Sequence, residues 1–424
     1  MKKKIKDISI IGGGISGCVS AFLLSKKGYN VTLFEKKNAL GGSTRDISDK
    51  NDIFYNGPHY FEEKFFWFKE LKKLNIFKNY FYSFSGNYKN KEKYHNINKV
   101  YCDIFGESLI HNNFPHPVTK KKFTKLKDFN EFNSLENRID IYQSNIQKPL
   151  KKWCKNFTNK LNNLSGECSS ILSISRIFFQ KDIKKITKLK IQSNNADMLL
   201  GVPQIDYKGK YFVPKKGYDS FFLEFTKFLK KDVKIFLNSK IDIKVNDSHN
   251  LNLYNRSKLI ENDKIIWACN PVPLIKEFGI DPLDNEVLKV KIFSSNITFL
   301  NKSHKKNFYI QVFSKNTNIF RIYFYKINNR SKISIETFFN KEQSKLDVVF
   351  LKTILDKFKI DIKIDTVFCE KKEIRHVLVT SNDLNKFKNF EKKIINSNII
   401  TGGWHLFSRE KKINHIINKL DFYE

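Results

Sequence analysis

Asp7-Ile8-Ser9-Ile10-Ile11-Gly12-Gly13-Gly14-Ile15-Ser16-Gly17-Cys18 is the stretch that decides the fold. Asp7 to Ile11 is a short apolar run suited to a buried parallel strand. It enters a turn with glycines at 12, 14 and 17, the G-x-G-x-x-G spacing. Gly12 permits the tight strand-to-helix turn, Gly14 lets a pyrophosphate approach the backbone, and Gly17 lets helix and strand pack closely. Ile15 and Ser16 open the helix, whose free N–H groups and partial positive charge favour phosphate. Cys18 to Lys26 continues that helix toward Gly28, a C-cap. Asn30 to Phe34 then forms a second strand that closes on Glu35, with Lys36 beside it. A carboxylate at this place accepts hydrogen bonds from ribose hydroxyls.

Glycine usage sharpens this reading. The chain has 17 glycines in 424 residues, well under the usual share of about 7%. Eight of them (12, 13, 14, 17, 28, 41, 42 and 57) fall in the first 57 residues. Such crowding marks places where the backbone turns tightly or meets a ligand.

Downstream of Glu35 come Gly41-Gly42-Ser43-Thr44-Arg45 and then Tyr55-Asn56-Gly57-Pro58-His59-Tyr60-Phe61. The acid followed by a glycine pair resembles the second FAD fingerprint of the amine-oxidase-like flavoproteins. The Gly57-Pro58-His59 segment resembles that of UDP-galactopyranose mutases, which places the histidine against the isoalloxazine ring. The resemblance implies that Gly41, Gly42 and Ser43 pass the pyrophosphate and that His59 is catalytic. Arg45 competes with Ser43 for the phosphate.

Three later stretches fit the same family. Tyr211 to Tyr218 precedes an amphipathic helix, Phe221 to Leu229, and leads to Val233–Ile241, a strand that resembles the adenosine contact, with Ile241 at its end. Lys264 to Pro271 resembles the strand and turn that close the nucleotide fold. Ile399 to Trp404 carries a Gly402-Gly403 strand end before a helix at Lys412–Leu420. Gly403, Trp404 (in place of the mutases' arginine) and Asn414, near the expected helix start, would then cradle the flavin. The substrate-side candidates implied are Arg321, Tyr218, Trp404 and Arg375, with Arg375-His376 and Arg409 as further cations. The mutase mobile-loop arginine and stacking tryptophan have no secure match; Arg176 and Trp153 lie in the corresponding region.

The fold class expected is α/β: a Rossmann-like FAD-binding domain with a helical insertion and an antiparallel β-sheet substrate domain. The first comprises residues 1–75, 206–286 and 395–424. Residues 120–205, rich in Lys, Asn and Ile, form the insertion, with Ile146–Leu164 its clearest helix despite Pro149. Residues 76–119 and 287–394 form the substrate domain, with period-two alternation over Lys289–Phe299, Phe308–Phe313, Ile319–Lys326 and Ser331–Phe338. There is no internal repeat, P-loop or RNA-binding aromatic motif.

Charge and cysteine bound the rest. Lys and Arg number 77 against 43 acids, a net charge of +34. The lysines are spread over the whole length among Asn, Ile and Phe, which reads as coding bias rather than a polyanion surface. What survives is a preference for a small anionic substrate, with nucleic acid an unlikely partner. Six scattered cysteines (18, 102, 154, 168, 269 and 369) include no C-x-x-C pair, against a disulfide framework or a metal site and in favour of a reducing compartment. The basic start and apolar Ile8–Leu24 imitate a secretory signal, but the glycines within argue against one. No run reaches the ~18 apolar residues of a membrane span. The expectation is a cytoplasmic chain, with a homo-oligomer left open. Two chemistries fit: mutase-type attack by flavin N5 on a nucleotide-linked sugar, or net oxidation of a C–H bond held over N5. A basic flavoprotein that binds nucleic acid is the minor alternative.

Overall fold

The computed structural model describes residues 6–49, 52–57, 59–85, 98–102, 109–111, 210–281, 286–301, 307–313, 317–338, 345–364, 369–378, 381–404 and 409–421. The expected helical insertion at 120–205, Trp153, Arg176 and Pro58 lie outside these residues.

The first layer is a five-stranded parallel sheet. Its strands are β1 (Asp7–Ile11), β2 (Asn30–Phe34), β3 (Val233–Phe236), β4 (Lys264–Trp267) and β5 (Ile399–Thr401), in the spatial order β3-β2-β1-β4-β5. Ile8 pairs with Val31 and Lys264, and Ile10 with Leu33 and Ile266. Both sides of β1 are covered, so its run from Ile8 to Ile11 is buried throughout. The chain leaves β1 toward β2 on one side and returns to β4 on the other. That reversal opens a crevice beyond the carboxyl ends of β1 and β4.

Helix α1 (Ile15–Lys26) crosses from β1 to β2. It stops by the two hydrogen bonds that define a Schellman turn: Gly28 N–H to Ser25 O (3.0 Å) and Tyr29 N–H to Leu24 O (3.2 Å). Gly28 has φ +88°, a conformation that favours glycine. Two further helices frame the layer. Helix α2 (Tyr218–Leu229) buries Phe221, Phe222 and Phe225, and α3 (Arg409–Asp421) buries Ile413, Ile416 and Leu420 along one stripe. All share one core with Val19, Phe22 and Leu24 of α1.

The second layer is an eight-stranded sheet whose long strands are Glu286–Phe299, Phe308–Phe313, Ile319–Ile327 and Arg330–Phe338. These match the alternating stretches of the sequence. Asn98–Cys102 pairs parallel with Phe308–Phe313, Leu109–His111 lies beyond it, and Cys369–Leu378 pairs with Glu286–Phe299. The hairpin between the two middle strands turns at Asn328 (φ +49°) and Asn329 (φ +63°), two left-handed residues as a type I′ turn requires. Ile322, Phe324, Ile333 and Ile335 are fully buried and join a core with Leu351, Ile354 and Leu355 of the helix Val348–Lys357. The opposite register holds Arg321, Tyr323 and Tyr325, paired with Glu336, Ser334 and Lys332.

Tyr55 joins this polar face to the segment that leads into α2. Its N–H donates to the Tyr325 hydroxyl (3.0 Å), its own hydroxyl donates to Pro214 O (2.7 Å), and its ring stacks on Tyr325 with centroids 4.5 Å apart.

Three details differ from the expectation. The strand that opens at Val233 ends at Phe236, short of Ile241, because Asn238 turns left-handed (φ +52°). Backbone N–H groups 238 and 239 then donate to Lys37 O and Glu35 O. The last helix begins at Arg409, so Asn414 sits past its first turn and not near its start. Helix Ser381–Lys393, expected with the antiparallel sheet, sends Phe387 and Phe390 into a core with Ile11, Phe34 and Trp267 of the parallel layer.

Candidate functional site: a glycine cradle beside a histidine–arginine pair

The crevice is lined first by backbone. Gly12 has φ +109° and donates to Phe34 O (2.9 Å). A Cβ on Gly17 would overlap the Gly12 carbonyl oxygen, so glycine here lets α1 start against the strand end. Gly14, the N-cap of α1, differs from both. Its φ is −70°, and a Cβ built on it meets nothing within 4 Å. The space in front of Gly14 is open, as close approach of a ligand to the backbone requires.

The second glycine pair docks onto the first. Gly41 N–H donates to Gly13 O (2.8 Å), and a Cβ on Gly42 would come within 3.2 Å of Gly14 Cα. Gly41 (φ +119°) and Gly42 (φ +57°) both use the left-handed region. Glu35, 7% exposed, accepts from Gly13 N–H through Oε2 (2.7 Å) and from Lys37 N–H through Oε1 (2.9 Å). Each oxygen keeps a further lone pair for a ligand hydroxyl. Ile15 is buried, Ser16 is half-buried, and Lys36 and Ser43 are exposed.

Arg45 does not compete for that crevice. Its guanidinium grips Asp219 of α2 through Nε (3.1 Å) and Nη2 (3.0 Å). Asp46 N–H donates to Asp219 Oδ1 (3.0 Å), and Asp219 N–H donates to Asp46 Oδ2 (2.9 Å). The fingerprint turn is thereby tied to the start of α2. Asp46 is buried, and that burial pushes its carboxyl up to about 7.

His59 is held at several points. Its N–H donates to the O of Gly57 (2.9 Å; Gly57 φ +82°), and its own O accepts the Tyr218 hydroxyl (2.7 Å). Arg409 Nη2 lies 2.9 Å from its Nδ1. Lys412, one turn along α3, is pushed down to about 8 by burial and by Arg409. Arg409, also held below its ordinary range by burial, completes a cationic corner at the first turn of α3. Glu62 pairs with Lys64 (2.8 Å), and Glu410 accepts from Phe66 N–H (3.2 Å).

The substrate-side candidates fall in different places. Arg321 lies on the tyrosine-bearing face of the sheet, next to an irregularity at Ile319/Arg321. It is buried and forms an ion pair with the buried Glu336. Tyr218 is buried against Tyr55, with ring centroids 5.2 Å apart. Trp404 packs on Phe387 (5.3 Å), with Gly403 before it at φ +61°. Ile241 is half-buried against the same core. Arg375 stands at a register shift opposite Leu288/Lys289, and its side chain lies outside the described residues. Arg409 offered only its charge in the sequence, and Asp46 offered no local signal at all.

Comparison with known proteins agrees with this geometry. Residues 10–71 match the NAD(P)-binding Rossmann-like domain family. Over 51 residues the chain is 63% identical to 4,4'-diapolycopen-4-al dehydrogenase of Metabacillus indicus. Over 58 residues it is 41% identical to UDP-galactopyranose mutase of Mycoplasma pneumoniae. These stretches are 12% and 13% of this chain and only 10% and 14% of those relatives. Solved structures match over nearly the whole length: reduced UDP-galactopyranose mutase at TM-score 0.60 and 11% identity, covering 99% of this chain and 96% of that one. Putrescine oxidase matches at 0.55 and 14%, covering 98% of each chain. Among the described residues no helix is long and apolar enough to cross a membrane. Residues 10–71 are thus similar to the NAD(P)-binding Rossmann-like domain family, within a fold like that of UDP-galactopyranose mutase and putrescine oxidase.

Proposed function

We propose that this protein is an FAD-dependent enzyme acting on a small anionic molecule, in the manner of UDP-galactopyranose mutase. The observation that carries the cofactor is the open space at Gly14, where a Cβ would intrude on the path of a pyrophosphate. Bound there, FAD would supply the N5 atom of its ring, as nucleophile toward a sugar carbon or as acceptor of a substrate hydride.

The chain's own groups then have separate tasks. The start of α1 holds phosphate through its free backbone N–H groups, and the Gly41-Gly42 turn passes it without a side chain in the way. Glu35 accepts from the ribose. His59 stands at the ring, and the tyrosines 55, 218, 323 and 325 wall off water. Arg409 and Lys412 favour an anion beside His59: both are cations at the first turn of α3, and Arg409 touches the His59 ring. A second reading, net oxidation, is favoured by one observation: Arg321 is occupied by Glu336 and does not stand ready as a diphosphate clamp.

Purified protein is expected to be yellow and to release FAD on denaturation. Turnover of UDP-sugars only after dithionite reduction would support the mutase reading. Bleaching by an added substrate without dithionite would support oxidation. A colourless protein that takes up NAD instead would sink the cofactor assignment.

A further inference from the structure

We propose that Arg409 is a positioning residue that fixes His59 as the neutral tautomer protonated on Nε2, so that His59 meets its ligand as a hydrogen-bond donor and not as a base. Only the ligand side of this statement rests on the FAD reading; the tautomer follows from the protein alone.

Arg409 Nη2 and His59 Nδ1 are 2.9 Å apart. A guanidinium has five donors and no acceptor, and it keeps its proton at any pH the protein survives. The contact is therefore a hydrogen bond only if Nδ1 presents a lone pair. The proton of a neutral ring then sits on Nε2. A proton added to Nδ1 would set N–H against N–H and cation against cation.

The ring has little freedom to escape this arrangement. The backbone of His59 is held at its N–H by Gly57 O and at its O by the Tyr218 hydroxyl. Its ring meets that of Tyr218 edge-on, with centroids 6.1 Å apart and planes at 88°. Charged and polar groups reach this corner from several elements. Helix α3 contributes the cations Arg409 and Lys412. The strand Phe61–Glu62 contributes Glu62, already paired with Lys64, and Tyr60 precedes it. Helix α2 contributes Tyr218, with Asp46 behind it. Glu410 is directed at Phe66 N–H. Arg409, the charge in contact with the ring, is positive and disfavours imidazolium. The lone pair that a general base would use is thus taken by Arg409, and the proton of the neutral ring sits on Nε2.

Histidine-selective 15N NMR on the full-length protein tests this, with the His59 signals identified by their loss in His59→Gln among the nine histidines. The expected result is a lone pair on Nδ1 and a proton on Nε2, unchanged between about pH 6 and pH 8, where a free histidine titrates. Arg409→Lys, which keeps a donor and a charge, should preserve that pattern. Arg409→Met should release it, giving mixed tautomers and ordinary titration. In FAD-loaded protein, the visible band should drift with pH over the same window in Arg409→Met only. A native His59 with its proton on Nδ1, or one that titrates alike in native and Arg409→Met protein, would overturn the proposal. If Arg409→Met does not fold, the tautomer of the native protein still decides. A colourless protein with the expected tautomer would remove the FAD reading and leave this one standing.

Discussion

The cradle around Gly14 and the polar face around Arg321 are both parts of the candidate site, yet they are made of different material. The cradle is backbone: N–H groups of Gly12, Gly13 and Gly41, and left-handed turns at 41 and 42. Its cost of assembly is steric, so it tolerates almost no side chain except where a ligand would lie. The sheet face is side chain: Arg321 on Glu336, Lys332 on Asp52 (2.9 Å) and Asn296 (2.7 Å), and Ser294 with Ser334 (2.8 Å). Its cost is desolvation, so it tolerates paired replacement but not the loss of one partner. Each region should therefore fail in its own way.

The largest effect is expected within the cradle, between two glycines three residues apart. Gly17→Ala should cost about 3 kcal/mol or more, since the new carbon overlaps a backbone oxygen. Gly14→Ala should stay within about 1 kcal/mol of native stability, yet weaken FAD uptake. Urea unfolding with parallel cofactor titration reads both. Equal stability loss at the two positions would erase the distinction between a packing glycine and a ligand glycine.

On the sheet face, Arg321→Met or Glu336→Leu alone should cost about 3–5 kcal/mol, because each takes the ion-pair partner from a buried charge. The double variant should recover most of that loss. If the singles are nearly neutral to stability but weaken an anionic substrate, Arg321 belongs to the substrate and not to the sheet.

Asp46 sharpens the comparison by pH. Its folded carboxyl is raised from 3.8 to about 7, so between these values the native state binds more protons than the unfolded one. Stability from this group is therefore full at the acid end and lost as pH rises through the window. The loss is at most about 4 kcal/mol, at 1.36 kcal/mol per unit. Asp46→Asn should flatten the slope, measured by urea unfolding between about pH 4 and pH 7. An unchanged slope would clear Asp46 of the titration.

A smaller effect is expected at the ribose end. Glu35→Ala should weaken FAD retention by roughly 1.5–3 kcal/mol, and Glu35→Gln by less, because the amide keeps one acceptor. Retention equal to native in Glu35→Ala would take Glu35 out of the site. The surface pair Lys227–Glu224 (2.8 Å) marks the lower bound. Lys227→Ala should change stability by less than about 0.5 kcal/mol in the same assay.

The two regions were also unequally legible. The cradle could be read because its parts are local: strand, glycines, helix, strand and acid follow within 35 residues, and each glycine answers a steric demand. The long strands could be read because alternation of Phe, Ile and Tyr with polar residues declares a pleated sheet. The pairing of Arg321 with Glu336 could not, since it depends on the register and on an irregularity beside Arg321. Asp46 finds Asp219 173 residues away, and His59 finds Arg409 350 residues away. Nothing in the neighbourhood of either residue announces such a partner. Asn414 illustrates the converse: the apolar stripe Ile413-Ile416-Leu420 gave the helix, but the periodic pattern begins one turn after the helix does.

Tyr55 carries a consequence for how the molecule comes apart. Its backbone N–H donates to Tyr325 of the large sheet, its hydroxyl donates to Pro214 O of the strand Lys210–Pro214 before α2, and its ring stacks on Tyr325. A local opening of the large sheet at Tyr325 must break the bonds that hold Tyr55, and with it the Gly57–His59 turn two residues on. The glycine cradle and the tyrosine face should thus exchange their amide hydrogens as one cooperative unit, and thermal melting should run in a single step across both.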